Sequence, residues 1–193
     1  MKVRGILVLC LLALMCIPAF GQEPKPEGAP AMGGPEHEAM MKAMSPGAEH
    51  KELAKRAGDW TFTSKMWMAP EAPPAESSGT VHGEMMLDGR YLHSVWKGNM
   101  MGMDFEGHGM DGYDNMSKQY VSTWMDNMAT GIMVMTGTCS GKVCTATGET
   151  LDPMKGGQKV TMKAVSTWID DSSYKFEMYS NEVKNMEMLV KKK

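Results

Sequence analysis

Cysteine, aromatic side chains and long apolar runs are all scarce in this chain of 193 residues. Aromatics make up 7% of it and cysteine occurs four times, which excludes a disulfide-dense miniature scaffold. No basic run interleaves with aromatics, and that argues against nucleic acid as a partner. One long apolar stretch exists, "GILVLCLLALMCIPAF", and it is short for a membrane span and broken at Pro18. Lys2 and Arg4 precede it and Ala19-Phe20-Gly21 follows as a small-x-small site, so residues 1–21 read as a cleaved signal peptide. Lipid attachment is disfavoured because bulky Leu9 and Met15 precede Cys10 and Cys16. The expectation is a periplasmic or secreted protein without a membrane anchor.

Methionine is what the chain has in excess. It supplies 22 of the 172 residues left after the leader. Removing Lys2 and Arg4 leaves 18 basic against 23 acidic residues, a net charge of about −5. That length is one domain's worth of chain, enough for a proper core.

Both remaining cysteines sit in "TCSGKVC". If Gly141-Lys142 is a hairpin turn closed by Ser140 and Val143, then Cys139 and Cys144 face each other at the next pair. In an oxidising compartment such a pair reads as a disulfide. The alternative, a redox or metal pair, lacks the helix-start CxxC context.

Residues 22–47, "QEPKPEGAPAMGGPEHEAMMKAMSPG", are rich in Pro, Gly, Ala and Glu without a sustained apolar face. They read as a disordered linker with at most one weak turn of helix at "EHEAMMKAM". "AEHKELAKRAG" reads as a short helix that Gly58 stops. From Trp60 the period changes to two, and ten strand-like segments follow, separated by turn signals such as "PEAPP", "DG", "SGK" and "DDSS". Ten short strands without interleaved helices predict an all-β, antiparallel up-and-down barrel over residues 48–193. Glycines 107 and 109 fit the bends that such a barrel needs.

A short helix followed by Gly-x-Trp in "RAGDWTF" resembles the start of lipocalin-like barrels. The likeness implies that Trp60 sits at the closed end under a basic side chain of the last strand, here Lys191. More broadly, "LDGRYLHSVWKGNMMGMDFEGHGMDGYDNMSKQYVSTWMDNMATGIMVMTGT" followed by "GETLDPM" resembles the bacterial exported family catalogued as domain of unknown function 1579. The resemblance covers roughly residues 50–191 and implies a calycin-like, that is lipocalin-like, barrel. It implies no activity and no catalytic residue.

Asp88-Gly89 reads as a type I′ hairpin turn, placing Met86 opposite Tyr91, Glu84 opposite His93 and His82 opposite Val95. The more apolar face, with Val81, Met85, Leu87, Leu92 and Trp96, then points inward. Glu84 and His93 become a solvated outer pair, although a metal or acid–base role with His108 as third member is the sharper alternative.

"QYVSTWMD" alternates Tyr120, Ser122, Trp124 and Asp126 with Val121, Thr123 and Met125. The first set resembles a pocket wall, and Trp96 and Phe105 of neighbouring strands would join it in holding a small-molecule ligand. An outward cross-strand ladder is the plain alternative. Ser122 has no Gly-rich elbow and no aligned histidine, so no catalytic constellation is recognised and an enzyme is carried only as a third reading.

Strand methionines are expected to fill an irregular core. His37, Met40, Met41 and Met44, with Met100, Met101 and Met103 of "NMMGM", lie instead on chain expected to be exposed. Thioethers with an occasional imidazole suit Cu(I), and a sacrificial oxidation sink or compositional drift is the alternative.

Overall fold

The computed structural model describes residues 33–100, 102–152 and 156–193. The expected signal peptide, most of the lead-in and Met101 lie outside the described residues.

Two helices precede the strands: α1 (Pro35–Met44) and α2 (Ala48–Ala54). The strands are β1 (Gly58–Met66), β2 (Ala75–Met86), β3 (Tyr91–Met100), β4 (Met103–Asp114) and β5 (Gln119–Asp126). They continue as β6 (Met133–Ser140), β7 (Val143–Asp152), β8 (Gln158–Asp170), β9 (Ser173–Ser180) and β10 (Val183–Lys192). Each strand pairs antiparallel with the next in sequence, and β1 pairs with β10, closing a ten-stranded barrel. Closure removes both sheet edges, so every strand can satisfy its backbone groups inside the ladder.

Alternation decides which side chains face in. On β1 buried Trp60, Phe62 and Ser64 alternate with exposed Thr61 and Thr63. The outer wall carries charges such as Lys65, Lys97, Glu84 and Glu106. A lipid-facing barrel has the opposite distribution, apolar outside and polar within.

The packed core lies at one end of the barrel, where Trp60, Phe62, Val81, Tyr174 and Val190 cluster. Trp60 is 1% exposed, and its indole Nε1 donates to the Arg56 carbonyl 3.0 Å away, just beyond α2. This bond orients the chain as it turns from helix into β1. Leu53 of α2 is buried, and His50 Nδ1 accepts the Gly47 N–H at 2.9 Å, so the side chain caps its own helix.

The cover over Trp60 is Lys192, whose Nζ stands 5.5 Å from the indole ring, and not Lys191. The register explains the correction. Lys192 lies opposite Trp60, and period two from fully buried Val190 puts Lys192 on the inner face and Lys191 on the outer.

The β2–β3 register matches the sequence reading, with Met86 opposite Tyr91 and Glu84 opposite His93. The turn does not. Residues 87–90 form a four-residue loop, with positive φ at Leu87, Asp88 and Gly89, closed by Arg90 N–H donating to the Met86 carbonyl at 3.1 Å. Leu87 is therefore 67% exposed in the loop instead of pointing inward.

The lead-in also departs from expectation, because α1 is a ten-residue helix rather than a single weak turn. Pro35 sets its first turn, where the missing N–H costs nothing. Its C-terminal end is tied to the barrel by Asn115, whose Nδ2 donates to the Ala43 and Ser45 carbonyls at 3.0 and 2.8 Å. Arg90 Nη2 adds a bond to the Met44 carbonyl at 3.1 Å.

Candidate functional site

The strands enclose a cavity of about 1910 Å³. Its floor is the aromatic cluster near α2, and at the opposite end the segments around Pro70, Met128 and Asn181 form the rim. Tyr120, Ser122, Trp124 and Asp126 all line it, as do Trp96 and Phe105. Val121, Thr123 and Met125 occupy the other face of β5, as alternation requires.

The aromatic wall is continuous. Phe62 lies 5.4 Å from Trp96, Trp96 packs edge-on to Trp124 at 6.1 Å, and Trp124 stacks with Phe105 at 6.3 Å. Gly107 makes room for this arrangement: a Cβ there would lie 2.4 Å from Cζ2 of Trp124. The glycines inside β4 thus serve ring packing as well as curvature.

Polar side chains share the wall with the rings, among them Ser122, Ser166 and Asp111, and some of them are bonded to one another. Trp124 Nε1 donates to Asp126 Oδ2 at 2.7 Å, and the Met128 N–H donates to Oδ1 at 2.9 Å. These two donors meet the requirement that a carboxylate at an apolar wall be compensated. Trp96 Nε1 donates to Ser94 Oγ at 3.1 Å, while Ser64 and Ser77 share a hydroxyl bond of 2.7 Å.

Two groups bear most on a ligand with a polar end. Asn185 Oδ1 is buried on the cavity wall with no hydrogen-bond partner among the described residues, at the irregularity where the β10 register slips. Arg56 reaches the floor with its guanidinium 5.1 Å from the Tyr174 ring and 5.8 Å from Trp168, and it forms no ion pair with any described residue. Burial pushes the Tyr174 hydroxyl up to about 12, against the opposing pull of the Arg56 charge. Burial likewise raises Tyr120, helped by the negative charge of Glu49 and Glu52.

A disulfide joins Cys139 to Cys144 across the β6–β7 hairpin, and a chain with this barrel, this Trp60 closure and this hairpin can be placed. The family described as "Protein of unknown function (DUF1579)" matches residues 45–191. The chain belongs to that family. No curated protein matches the chain. Among solved structures it is similar to "Crystal Structure of Rv2717c from M. tuberculosis", at 12% identity and TM-score 0.54, covering 77% of this chain and 99% of that one. A designed protein, titled "De novo design of a fluorescence-activating beta barrel", matches at 12% identity and TM-score 0.43, covering 73% of this chain and 96% of that one. The first likeness shows a shared fold.

In this DUF1579 barrel the methionines divide by position. Met66, Met133, Met135, Met186 and Met188 line the cavity, so they wall a space instead of filling a solid core. Met100 also faces the cavity and pairs with Met103, which is exposed. That pair sits at the rim, whereas Met40, Met41 and Met44 lie exposed on α1, bonded to the strand ends at the floor. The strands between span roughly 30 Å, so the two sets of sulfurs do not form one site.

Arg56, Asn185, Trp168, Tyr174 and Phe62 are wall or floor residues that sequence reasoning missed. One sequence signal points to Arg56: it lies four residues before Trp60 at a helix end. Asn185 has none, because its placement depends on the register slip.

Proposed function

We propose that this protein is exported and holds a small apolar or amphipathic molecule inside its barrel. The observation that carries the reading is the cavity itself: about 1910 Å³, walled by aromatics and methionines interspersed with serine, threonine and a few charged side chains. Ligand sites have this composition, and this one exceeds the usual volume of roughly 300–1,000 Å³, which suits an extended or bulky ligand. Methionine walls repack at low cost and favour tolerance over strict shape selection. Arg56 and Asn185 give an amphipathic ligand two polar anchors, one for an acidic group at the floor and one for a hydrogen-bond donor on the wall. Export is supported by the leader and by the Cys139–Cys144 disulfide, which persists in an oxidising compartment.

Native mass spectrometry of protein purified from its own cells tests both parts. The expected result is a chain beginning at Gln22 with a copurifying organic molecule. In solution, an apolar dye should quench tryptophan fluorescence, and Trp124→Ala should weaken binding several-fold. Arg56→Gln should weaken a carboxylate-bearing dye while leaving its neutral analogue unchanged. A dye that binds the wild type and Trp124→Ala equally does not occupy this wall.

A second reading rests on α1. His37, Met40, Met41 and Met44 fall at i, i+3, i+4 and i+7, one face of the helix, and the three methionines are exposed. Such a stripe offers thioethers and an imidazole to Cu(I). Deleting residues 22–47 should lower stoichiometry in a Cu(I) competition assay and leave the barrel folded. Failure of the full chain to compete with a moderate Cu(I) chelator removes this reading.

A further inference from the structure

The outer wall carries a cluster that ligand binding in the barrel does not use. His93 on β3 and His108 on β4 lie side by side, their rings 19° from parallel, with Nε2 of His93 3.2 Å from Nδ1 of His108. The remaining nitrogen of each ring is turned towards a carboxylate. Glu106 Oε1 lies 3.0 Å from His108 Nε2, and Glu84 Oε1 lies 3.8 Å from His93 Nδ1. Lys97 holds the other oxygen of Glu106 at 3.2 Å.

A neutral imidazole has one N–H. When Glu106 accepts that of His108 Nε2, the Nδ1 lone pair is left facing His93. Glu84, at 3.8 Å, is beyond hydrogen-bond reach, but its charge favours a proton on His93 Nδ1, the tautomer that leaves the Nε2 lone pair facing His108. In that tautomer two lone pairs meet at 3.2 Å and leave a place for a cation, whereas the other neutral tautomer fills the gap with an N–H donated from His93 to His108. An imidazole whose far nitrogen donates to a carboxylate is the usual arrangement of a metal-bound histidine. With metal–nitrogen bonds of about 2.0–2.1 Å, neighbouring ligand nitrogens stand about 2.8 Å apart on a square and about 3.3 Å on a tetrahedron. The observed separation lies between these.

The neighbours narrow the ion. In the ladder Met110 stands directly opposite His93, and Met125 directly opposite His108, so thioethers flank the imidazoles. Imidazole and thioether donors suit copper and do not suit magnesium or calcium. Among the described residues no three of His, Cys, Asp or Glu surround a common point. The centre is thus built on two imidazoles, its other positions open to water or thioether.

We propose that His93 and His108 bind one copper ion on the outer wall of the barrel, with Glu106 and Glu84 as positioning residues. The inference is independent of the ligand in the lumen and of the α1 stripe, which contains a single histidine. His82, 2.8 Å from Asp59, is a lone carboxylate-paired imidazole and serves as the control.

The test is Cu2+ titration of the full chain, read by affinity and by nitrogen hyperfine structure in the electron paramagnetic resonance spectrum. The expected result is one tight Cu2+ with two imidazole nitrogens. His93→Ala or His108→Ala should each lower affinity at least tenfold and remove the two-nitrogen signature, while His82→Ala changes neither. Glu106→Gln should weaken binding about tenfold and keep the two-nitrogen signature, as expected of a positioning residue. Circular dichroism should show all variants folded, because these side chains sit outside the core. A two-nitrogen spectrum that survives both histidine variants overturns the proposal. So does a wild type that binds no more tightly than His93→Ala, since the pair would then share only a proton.

Discussion

A missing side chain shapes the lumen as much as the aromatic ones do. At Gly107 a Cβ would come within 2.4 and 2.6 Å of the Trp124 ring and 3.1 Å of Phe105, so any other residue must push the indole off its stack. Gly107→Ala should therefore destabilise the protein by about 1–3 kcal/mol, the usual cost of overpacking. In a Trp124→Ala background the same change should cost much less, because the obstructing ring is gone. Urea denaturation of the four proteins in this cycle measures the coupling, and additive effects would show that the glycine serves only strand curvature. At this scale the sequence disclosed Trp124 and Asp126 through simple alternation. It did not disclose that they bond to each other at 2.7 Å, because an i, i+2 contact depends on rotamers. The cover of Trp60 shifted by one residue, to Lys192, for a related reason: only the β1–β10 register says which lysine shares the inner face.

Among elements, the ten strands were legible because each has one buried face, and that imposes a period of two which the eye can follow. Connections were less so. The Cys139–Cys144 hairpin came out as expected, with Ser140 opposite Val143 and a disulfide joining the next pair. The β2–β3 loop kept its register but widened to four residues, with Leu87 accepting a positive φ outside the barrel. The register slip at β10 and the full length of α1 left no trace in the pattern, since one is settled across strands and the other by distant tethers from Asn115 and Arg90. The disulfide closes a loop with a sequence separation of only 5 and adds little to a hairpin already held by its neighbours. Reduction should lower stability by at most about 2 kcal/mol and leave the strand content intact, by urea midpoint and circular dichroism with and without reductant. Complete unfolding on reduction would mean that β6 and β7 depend on the link for their pairing. Truncating α1 gives a contrasting expectation. Its residues include no buried side chain, so removing it should leave the unfolding midpoint nearly unchanged while exposing Asn115 and the 87–90 loop.

For the molecule as a whole, the decisive contact is where the two ends of the barrel sequence meet. β1 and β10 close the ring, and their inner faces deliver Trp60 and Val190 to the floor, where Tyr174 of β9 and Trp168 of β8 complete the cluster. Trp60 lies 5.7 Å from Tyr174 and Trp168 lies 5.2 Å from it, so the phenol is enclosed by rings on two sides with the Arg56 charge above. Such a site disfavours phenolate, and the Tyr174 hydroxyl is pushed up to about 12 from an ordinary 10 by burial, in spite of Arg56. The consequence for stability has a definite sign. Below pH 10 both the folded and the unfolded chain hold this proton, and the contribution to stability is constant. Between 10 and 12 the unfolded chain releases it first, so stability falls as pH rises, by up to about 2–3 kcal/mol. Alkaline unfolding followed by circular dichroism should show this decline, and phenolate absorbance should reach its full amplitude only as the barrel opens. Tyr174→Phe keeps the ring and removes the proton, so it should flatten the decline while leaving stability near neutral pH within about 1 kcal/mol. An equally steep decline in Tyr174→Phe would assign the alkaline sensitivity elsewhere, to Tyr120 or Tyr113, whose hydroxyls burial also raises at the end of the barrel covered by α2. In that case the floor cluster is open to water, and Arg56 is a solvated cation with no hold on an acidic ligand.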